Sequence, residues 1–234
     1  MKVRVGFTPA EETAGTVAVV IDVLRATSTI CQALAAGYER VVCVGEVEQA
    51  FELAAGRDDV ALAGERRNVR PEGFDFGNSP REFAGDGPAR ATLVLTTTNG
   101  TRLLLAAAAR CETVLVGSLL NLGAVVAAVR ASGAPDVAVL CAGVEGAFAI
   151  DDAYVAGVLA GALGGDPDDA TVAATRLAGA FASDEEGIGG GVSAANIRRV
   201  GLDDDIPWCA RRSVLEVVPR VVGRTASTVE LAAG

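Results

Sequence analysis

Residues 17–36 read VAVVIDVLRATSTICQALAA: five consecutive apolar residues, then Asp22 and Arg25, then a run rich in alanine. The valines and Ile21 favour a buried strand, and the alanines favour a helix over 26–36. Strand, turn and helix in so short a span form half of a crossover unit, and the rhythm continues outward in both directions. Strand candidates lie at Val3 to Phe7, Val17 to Ile21, Val41 to Val44, Val60 to Ala63, Leu93 to Thr97, Thr113 to Val116, Val137 to Leu140 and Leu215 to Val218. Helix candidates fall at 26–36, 46–55, 101–110, 121–131, 149–164, 170–182, 192–200 and 203–212. This alternation predicts a three-layer α/β/α fold around a largely parallel or mixed sheet. The reading is one domain over 1–234, built as a single unit or as two closely packed halves.

Two segments interrupt the rhythm. Gly64 to Pro88 is too long for an ordinary connection, and its aromatic and charged residues favour a functional loop over a solvated excursion. Asp184 to Gly191, acidic and then glycine-rich, reads as a flexible hinge or lid, or equally as a plain linker. Its Gly187, Gly189 and Gly190 follow Glu185 and Glu186 rather than a strand, so they form no dinucleotide fingerprint.

Composition limits the chemistry. The chain has no histidine and a single lysine, Lys2. That removes Ser-His-Asp catalysis, phosphohistidine chemistry and imidazole ligation of zinc. No cysteine is followed six positions later by arginine, so the thiolate phosphatase signature is missing, and Cys31, Cys43, Cys111, Cys141 and Cys209 are spaced as packing residues. Carboxylates, arginines, hydroxyls and backbone amides remain, and oxygen ligands select a hard cation such as Mg²⁺. A net charge of −10 speaks against nucleic acid. An anionic substrate would need a locally positive pocket. Apolar stretches are interrupted long before membrane-spanning length and no signal-peptide pattern is present, so the expectation is a cytoplasmic protein without a membrane partner.

In open α/β sheets ligands collect beyond the carboxyl ends of strands. After the strand at 17–21 come Asp22 and Arg25, with Thr27 and Ser28 where free helix N–H groups favour phosphate. The alternative makes Thr27 or Ser28 a cap and Arg25 a surface residue. The strand at 60–63 is followed by Gly64-Glu65-Arg66-Arg67-Asn68-Val69-Arg70, where Glu65 and Arg66, nearest the strand end, are preferred over Arg67 and Arg70. Downstream, Asn78 and Ser79 precede a short helix, which capping alone would explain. Thr96-Thr97-Thr98-Asn99-Gly100-Thr101-Arg102 carries more hydroxyl and amide groups than a cap requires, which marks Thr98, Asn99, Gly100 and Thr101 as anion ligands. Cys141 to Gly146 resembles an anion nest through Gly143 and Gly146, and leads to Asp151 and Asp152, whose place in a first helical turn the helix dipole also explains.

The blocks IDVLRATSTI (21–30), GERRNVRPEGFDFGNSP (64–80), TTTNGTRLL (96–104), CAGVEGAFAIDDAYVAG (141–157) and DDDIPWCARRSVLEVVP (203–219) together resemble the 2-phosphosulfolactate phosphatases of the coenzyme M and sulfolactate pathways. The resemblance implies a magnesium-dependent phosphatase on an α/β/α fold that converts 2-phospho-3-sulfolactate and water to 3-sulfolactate and phosphate. It assigns the metal to Asp22, Glu65, Asp151 and Asp152, and anion binding to Arg25, Asn78, Ser79, Asn99, Gly100 and Thr101. Where the family's loop places glycines after its first arginine, this chain has Arg67 and Asn68. Ser193 to Arg199 also departs from the pattern, and Ser213 stands in place of an acidic residue.

The expected catalytic set is Asp22, Arg25 and Glu65, with Arg25 and Arg66 facing charge that develops on the phosphoryl group. Direct attack by water is preferred to an aspartyl-phosphate on Asp22, because position 24 is leucine and supplies no second acid. The rival functions are hydrolysis of another phosphorylated hydroxy acid and non-catalytic anion binding on the same scaffold. A homodimer is an admissible assembly.

Overall fold

Val17–Ile21, Val60–Gly64 and Thr92–Thr96 are buried at every position, a pattern that requires helices on both faces of a sheet. The structure is a computed structural model that describes residues 1–11, 13–85 and 87–234. Its strands are β1 (Lys2–Gly6), β2 (Val17–Ile21), β3 (Arg40–Val44), β4 (Val60–Gly64), β5 (Thr92–Thr96), β6 (Thr113–Gly117), β7 (Asp136–Cys141), β8 (Asp166–Pro167), β9 (Pro219–Arg224) and β10 (Thr228–Ala233). Its helices are α1 (Ala26–Ala35), α2 (Val47–Ala54), α3 (Gly100–Arg110), α4 (Leu122–Ala131), α5 (Ile150–Leu163), α6 (Asp169–Ala178), α7 (Asp184–Gly189), α8 (Val192–Arg199) and α9 (Asp205–Cys209). No helix among the described residues is long and apolar enough to cross a membrane.

The strands form one mixed sheet in the order β4-β5-β3-β10-β9-β6-β2-β7-β1-β8. Two parallel wings, β4-β5-β3 and β6-β2-β7-β1-β8, are joined by the antiparallel C-terminal pair β9 and β10. Because β10 runs against β3 and β9 runs against β6, the wings point in opposite senses. In a flat sheet their carboxyl ends would lie on opposite edges. Five strand-to-strand steps separate β2 from β5, and at roughly 20–25° per step the twist accumulates to about 100–125°. Reversal and twist together swing the carboxyl ends of the two wings toward each other.

Helices α1 and α3 fill one face, where Ile30, Leu34, Leu103 and Leu104 pack with Ala18, Val20, Val41, Leu95 and Val116. On the other face, residues of α4, α5 and α6 pack against Val19, Ile21, Val137 and Val139. Ala50 of α2 and the loop residue Phe74 cover Val44, Leu62 and Val94. The result is the expected α/β/α layering, and all five cysteines are buried and free.

Two sequence expectations change. Leu215 to Val218 is no strand, because the amides of Ser213, Val214 and Leu215 donate to the carbonyls of Leu119 and Leu120; the ladder begins only at Pro219. Asp184 to Gly191 is no lid, since Asp184 to Gly189 is the helix α7, capped by Ser183 Oγ and tied to Tyr154 Oη at 2.7 Å. A Cβ at Gly187 would lie 2.4 Å from the Tyr154 ring, so this glycine permits close approach rather than motion. Gly64 to Pro88, of which Asp86 lies outside the described residues, is irregular but anchored by buried Phe74 and Phe83.

Candidate active site

Asp22 leaves the carboxyl end of β2 buried, with 8% of its surface exposed. Its carbonyl accepts the Thr27 amide and hydroxyl, both at 2.9 Å, and its Oδ1 accepts the Ala26 amide at 3.2 Å. The first turn of α1 therefore fixes this carboxylate, while Oδ2 takes no hydrogen bond. Ser28 donates to the Val23 carbonyl and Thr29 to the Asn78 carbonyl, so the hydroxyls of this turn are engaged within the protein. From the opposite wing, α3 arrives so closely that a Cβ at Gly100 would stand 2.5 Å from Asp22 Oδ2. Only glycine fits there.

Glu65, just beyond β4, accepts the Thr98 amide at 2.7 Å, the Thr98 hydroxyl at 3.2 Å and the Asn68 amide at 2.7 Å. One carboxylate thus binds the loop after β4 to the loop after β5. Arg67 and Asn68 lie in the left-handed region, at φ 54° and 65°, and both side chains line the central cavity. Arg66 points elsewhere, donating to the Glu65 carbonyl, the Gly45 carbonyl and Thr96 Oγ1. Thr101 is fully buried and exchanges hydrogen bonds with Thr97, which closes the start of α3.

At the head of α5, Asp152 accepts the Val23 and Gly143 amides, each at 2.9 Å, and Asp151 accepts Ser193 Oγ at 2.9 Å. These two acids, with Asp22, border a recess of about 40 Å³, roughly the room of one water or ion. Burial, reinforced by Asp151 and Glu65, raises the Asp22 pKa to about 7. Burial also raises Asp151 to about 6, and Asp152 lies well above the usual carboxylate range through burial and the charges of Asp151 and Asp22.

Arg25 is 2% exposed. Its Nη1 donates to Asp205 Oδ2 at 2.6 Å, and the other Asp205 oxygen accepts Ser79 Oγ at 2.5 Å. Among the described residues, the Nε and Nη2 atoms of Arg25 are buried with no partner, as is Oδ1 of Asn78. A buried guanidinium with two free donors on one edge is incomplete without an oxyanion. Arg25 borders a cavity of about 330 Å³ lined also by Asp22, Glu65, Thr98, Asn99 and Asn196.

Comparison with known proteins decides what family builds this cavity. The family model for 2-phosphosulpholactate phosphatase matches residues 5–224. A probable 2-phosphosulfolactate phosphatase of Thermus thermophilus is 38% identical over 229 residues, covering 96% of each chain. Those of Caldanaerobacter subterraneus, 38% identical over 87% of this chain and 86% of the relative, and of Thermotoga maritima, 37% identical over 88% of each, agree. The chain belongs to the 2-phosphosulpholactate phosphatase family.

The family is one of phosphoric monoester hydrolases; four of the five blocks that carry the likeness line this cavity, and the fifth reaches it through Asp205. Asp22, Arg25, Glu65, Asn78, Thr98 and Asn99 line it together, and Asp151, Asp152 and Gly143 line the adjoining recess. Ser79 lines a second hollow beside the cavity, whereas Arg66 reaches the site only through other residues. Gly146 belongs to a neighbouring hollow with Arg102. Sequence reasoning singled out neither Asp205 nor Asn196, and it ranked Arg67 below Arg66. The one signal for Asp205 was its place in the matched block 203–219.

Among the described residues, no three acidic groups stand gathered as a ready-made metal cluster. The donor type nevertheless fits: among the described residues Asp22 Oδ2 has no hydrogen-bond donor while Oδ1 takes the Ala26 amide, and carboxylate oxygens suit Mg²⁺. Asp22, Asp151 and Asp152 border one recess with only amide and hydroxyl donors as their hydrogen-bond partners among the described residues, surroundings that a divalent cation would relieve.

Proposed function

We propose that this chain hydrolyses 2-phospho-3-sulfolactate to 3-sulfolactate and phosphate, with Mg²⁺ as its cofactor and water as the attacking group. The observation that carries the reading is the unpartnered Nε and Nη2 edge of Arg25, buried beside a cavity that Asp22 and Glu65 also line. Asp22 and Asp151 would hold the cation, with Asp152 and Glu65 beside them. When bound, it supplies positive charge that polarises a phosphoryl group and eases loss of a proton from water.

The protein's own groups do the rest. Arg25 takes two phosphoryl oxygens on its free edge, a bidentate contact that fixes the ester and offsets charge as the P–O bond breaks. Asp22, held by the α1 amide, cannot swing away from the phosphorus. A second hollow of about 520 Å³ shares Arg25, Asn68 and Asn78 with the first and adds Arg70 and Arg81. Guanidinium groups there suit the carboxylate and sulfonate of the same substrate.

Phosphate release from esters with and without the sulfonate tests the reading. A large preference for the sulfonated ester is expected, and equal rates would reject the substrate assignment. Single-turnover hydrolysis in labelled water tests the route: label in the released phosphate and none in Asp22 is expected, whereas a labelled Asp22 carboxylate would replace direct attack by an aspartyl-phosphate.

A further inference from the structure

We propose that Asp205 is a positioning residue that keeps the anion-binding edge of Arg25 open, and that Ser79 acts by holding Asp205. The inference rests on Arg25 being the oxyanion ligand. A buried guanidinium close to Asp22 and Glu65 is drawn to pair with them, and such a pair would close the cavity on itself. No ion pair between Arg25 and either acid forms among the described residues. Arg25 is held instead by Asp205, which contributes from α9 through a 2.6 Å bond between buried partners.

The bond falls on Nη1, the nitrogen on the far side of the guanidinium from the Nε and Nη2 edge. Pairing on that side orients the group while leaving the edge that matches two phosphoryl oxygens untouched. Asp205 is itself kept in place by Ser79 Oγ at 2.5 Å, from the loop after β4. Three chain segments far apart in sequence thus converge on one side chain. Ser79, which the family likeness marked as an anion ligand, takes a different role here, because its hydroxyl is committed to Asp205.

Binding of inorganic phosphate to the Mg²⁺-loaded full-length protein, measured calorimetrically, reads this network without requiring turnover. Asp205→Asn keeps the shape and the acceptor for Ser79 but removes the charge. It should weaken phosphate binding about tenfold or more, whereas in an Arg25→Gln background, assayed at millimolar phosphate, the same change should alter affinity less than about twofold. An unchanged affinity, or an equal loss in both backgrounds, would overturn the proposal. If Asp205→Asn fails to fold, Ser79→Ala decides: a loss that depends on Arg25 supports the network, and no loss or an Arg25-independent one overturns it. A protein that binds phosphate through this network yet leaves 2-phospho-3-sulfolactate intact would sink the proposed substrate and leave the positioning role standing.

Discussion

Individual contacts around Asp22 and Glu65 set how tightly the site is specified. A Cβ at Gly100 would approach Asp22 Oδ2 to 2.5 Å and Ala26 Cβ to 2.6 Å, the first on a carboxylate that accepts the Ala26 amide and the second fixed by the α1 backbone. Gly100→Ala should therefore destabilise the protein by about 1–3 kcal/mol and lower kcat/KM by more than its effect on folding explains; comparing melting temperature with turnover checks both. Glu65→Gln turns one of its two acceptor oxygens into a donor, leaves either the Thr98 or the Asn68 amide without its acceptor, and should cost about 1–3 kcal/mol in chemical denaturation, with a wild-type unfolding curve as the contrary result. Some of this was legible from residue order, because Asp22 and Glu65 directly follow apolar strands. The choice between Arg66 and Arg67 was not. It is made by a left-handed backbone at 67 and 68, and neither residue type announces that conformation.

The elements were readable where strand, turn and helix follow one another locally, as in β2 with α1, β5 with α3 and β7 with α5. They were unreadable where packing overrides propensity. Helix α7 contains two glycines in six residues, a composition that reads as a hinge, yet Gly187 is where the helix lies against Tyr154. Gly187→Ala should lower the thermal midpoint despite its better helix propensity, because the added methyl meets the ring; a rise would show that the segment is free to shift. The β9 and β10 pair escaped notice for a different reason. Arg220 and Gly223 interrupt β9 and Glu230 interrupts β10, so no long apolar run marks them, and their partners β3 and β6 lie more than a hundred residues away.

Across the whole molecule, the neighbouring parallel strands β2 and β7 lead Asp22, Asp151 and Asp152 into one buried recess, and that gathering should make stability depend on pH. Asp22 and Asp151 titrate near 7 and 6 in the native state, raised from 3.8. Between about pH 4 and pH 7 the native protein then holds more protons than the unfolded chain, so in chelator its stability falls as pH rises across that window. Asp59 and Asp136, whose pKa values are lowered by hydrogen bonds from the Arg57 side chain and the Thr16 amide, oppose this only weakly. Thermal unfolding in chelator should give a lower midpoint at neutral than at mildly acidic pH, with Mg²⁺ closing the gap; a higher midpoint at neutral pH would contradict it. The fold-level pattern was legible because alternation is local, whereas the Arg25–Asp205 pair spans 180 residues and emerges only from the folded sheet. The most direct measurement is phosphate release from 2-phospho-3-sulfolactate by wild type, Asp22→Asn and Asp151→Asn, before chelation, after it and with Mg²⁺ restored. Chelation should abolish wild-type turnover, Mg²⁺ should restore it, and each variant should remain about 100-fold or more below wild type; undiminished turnover by the chelated protein would contradict the account.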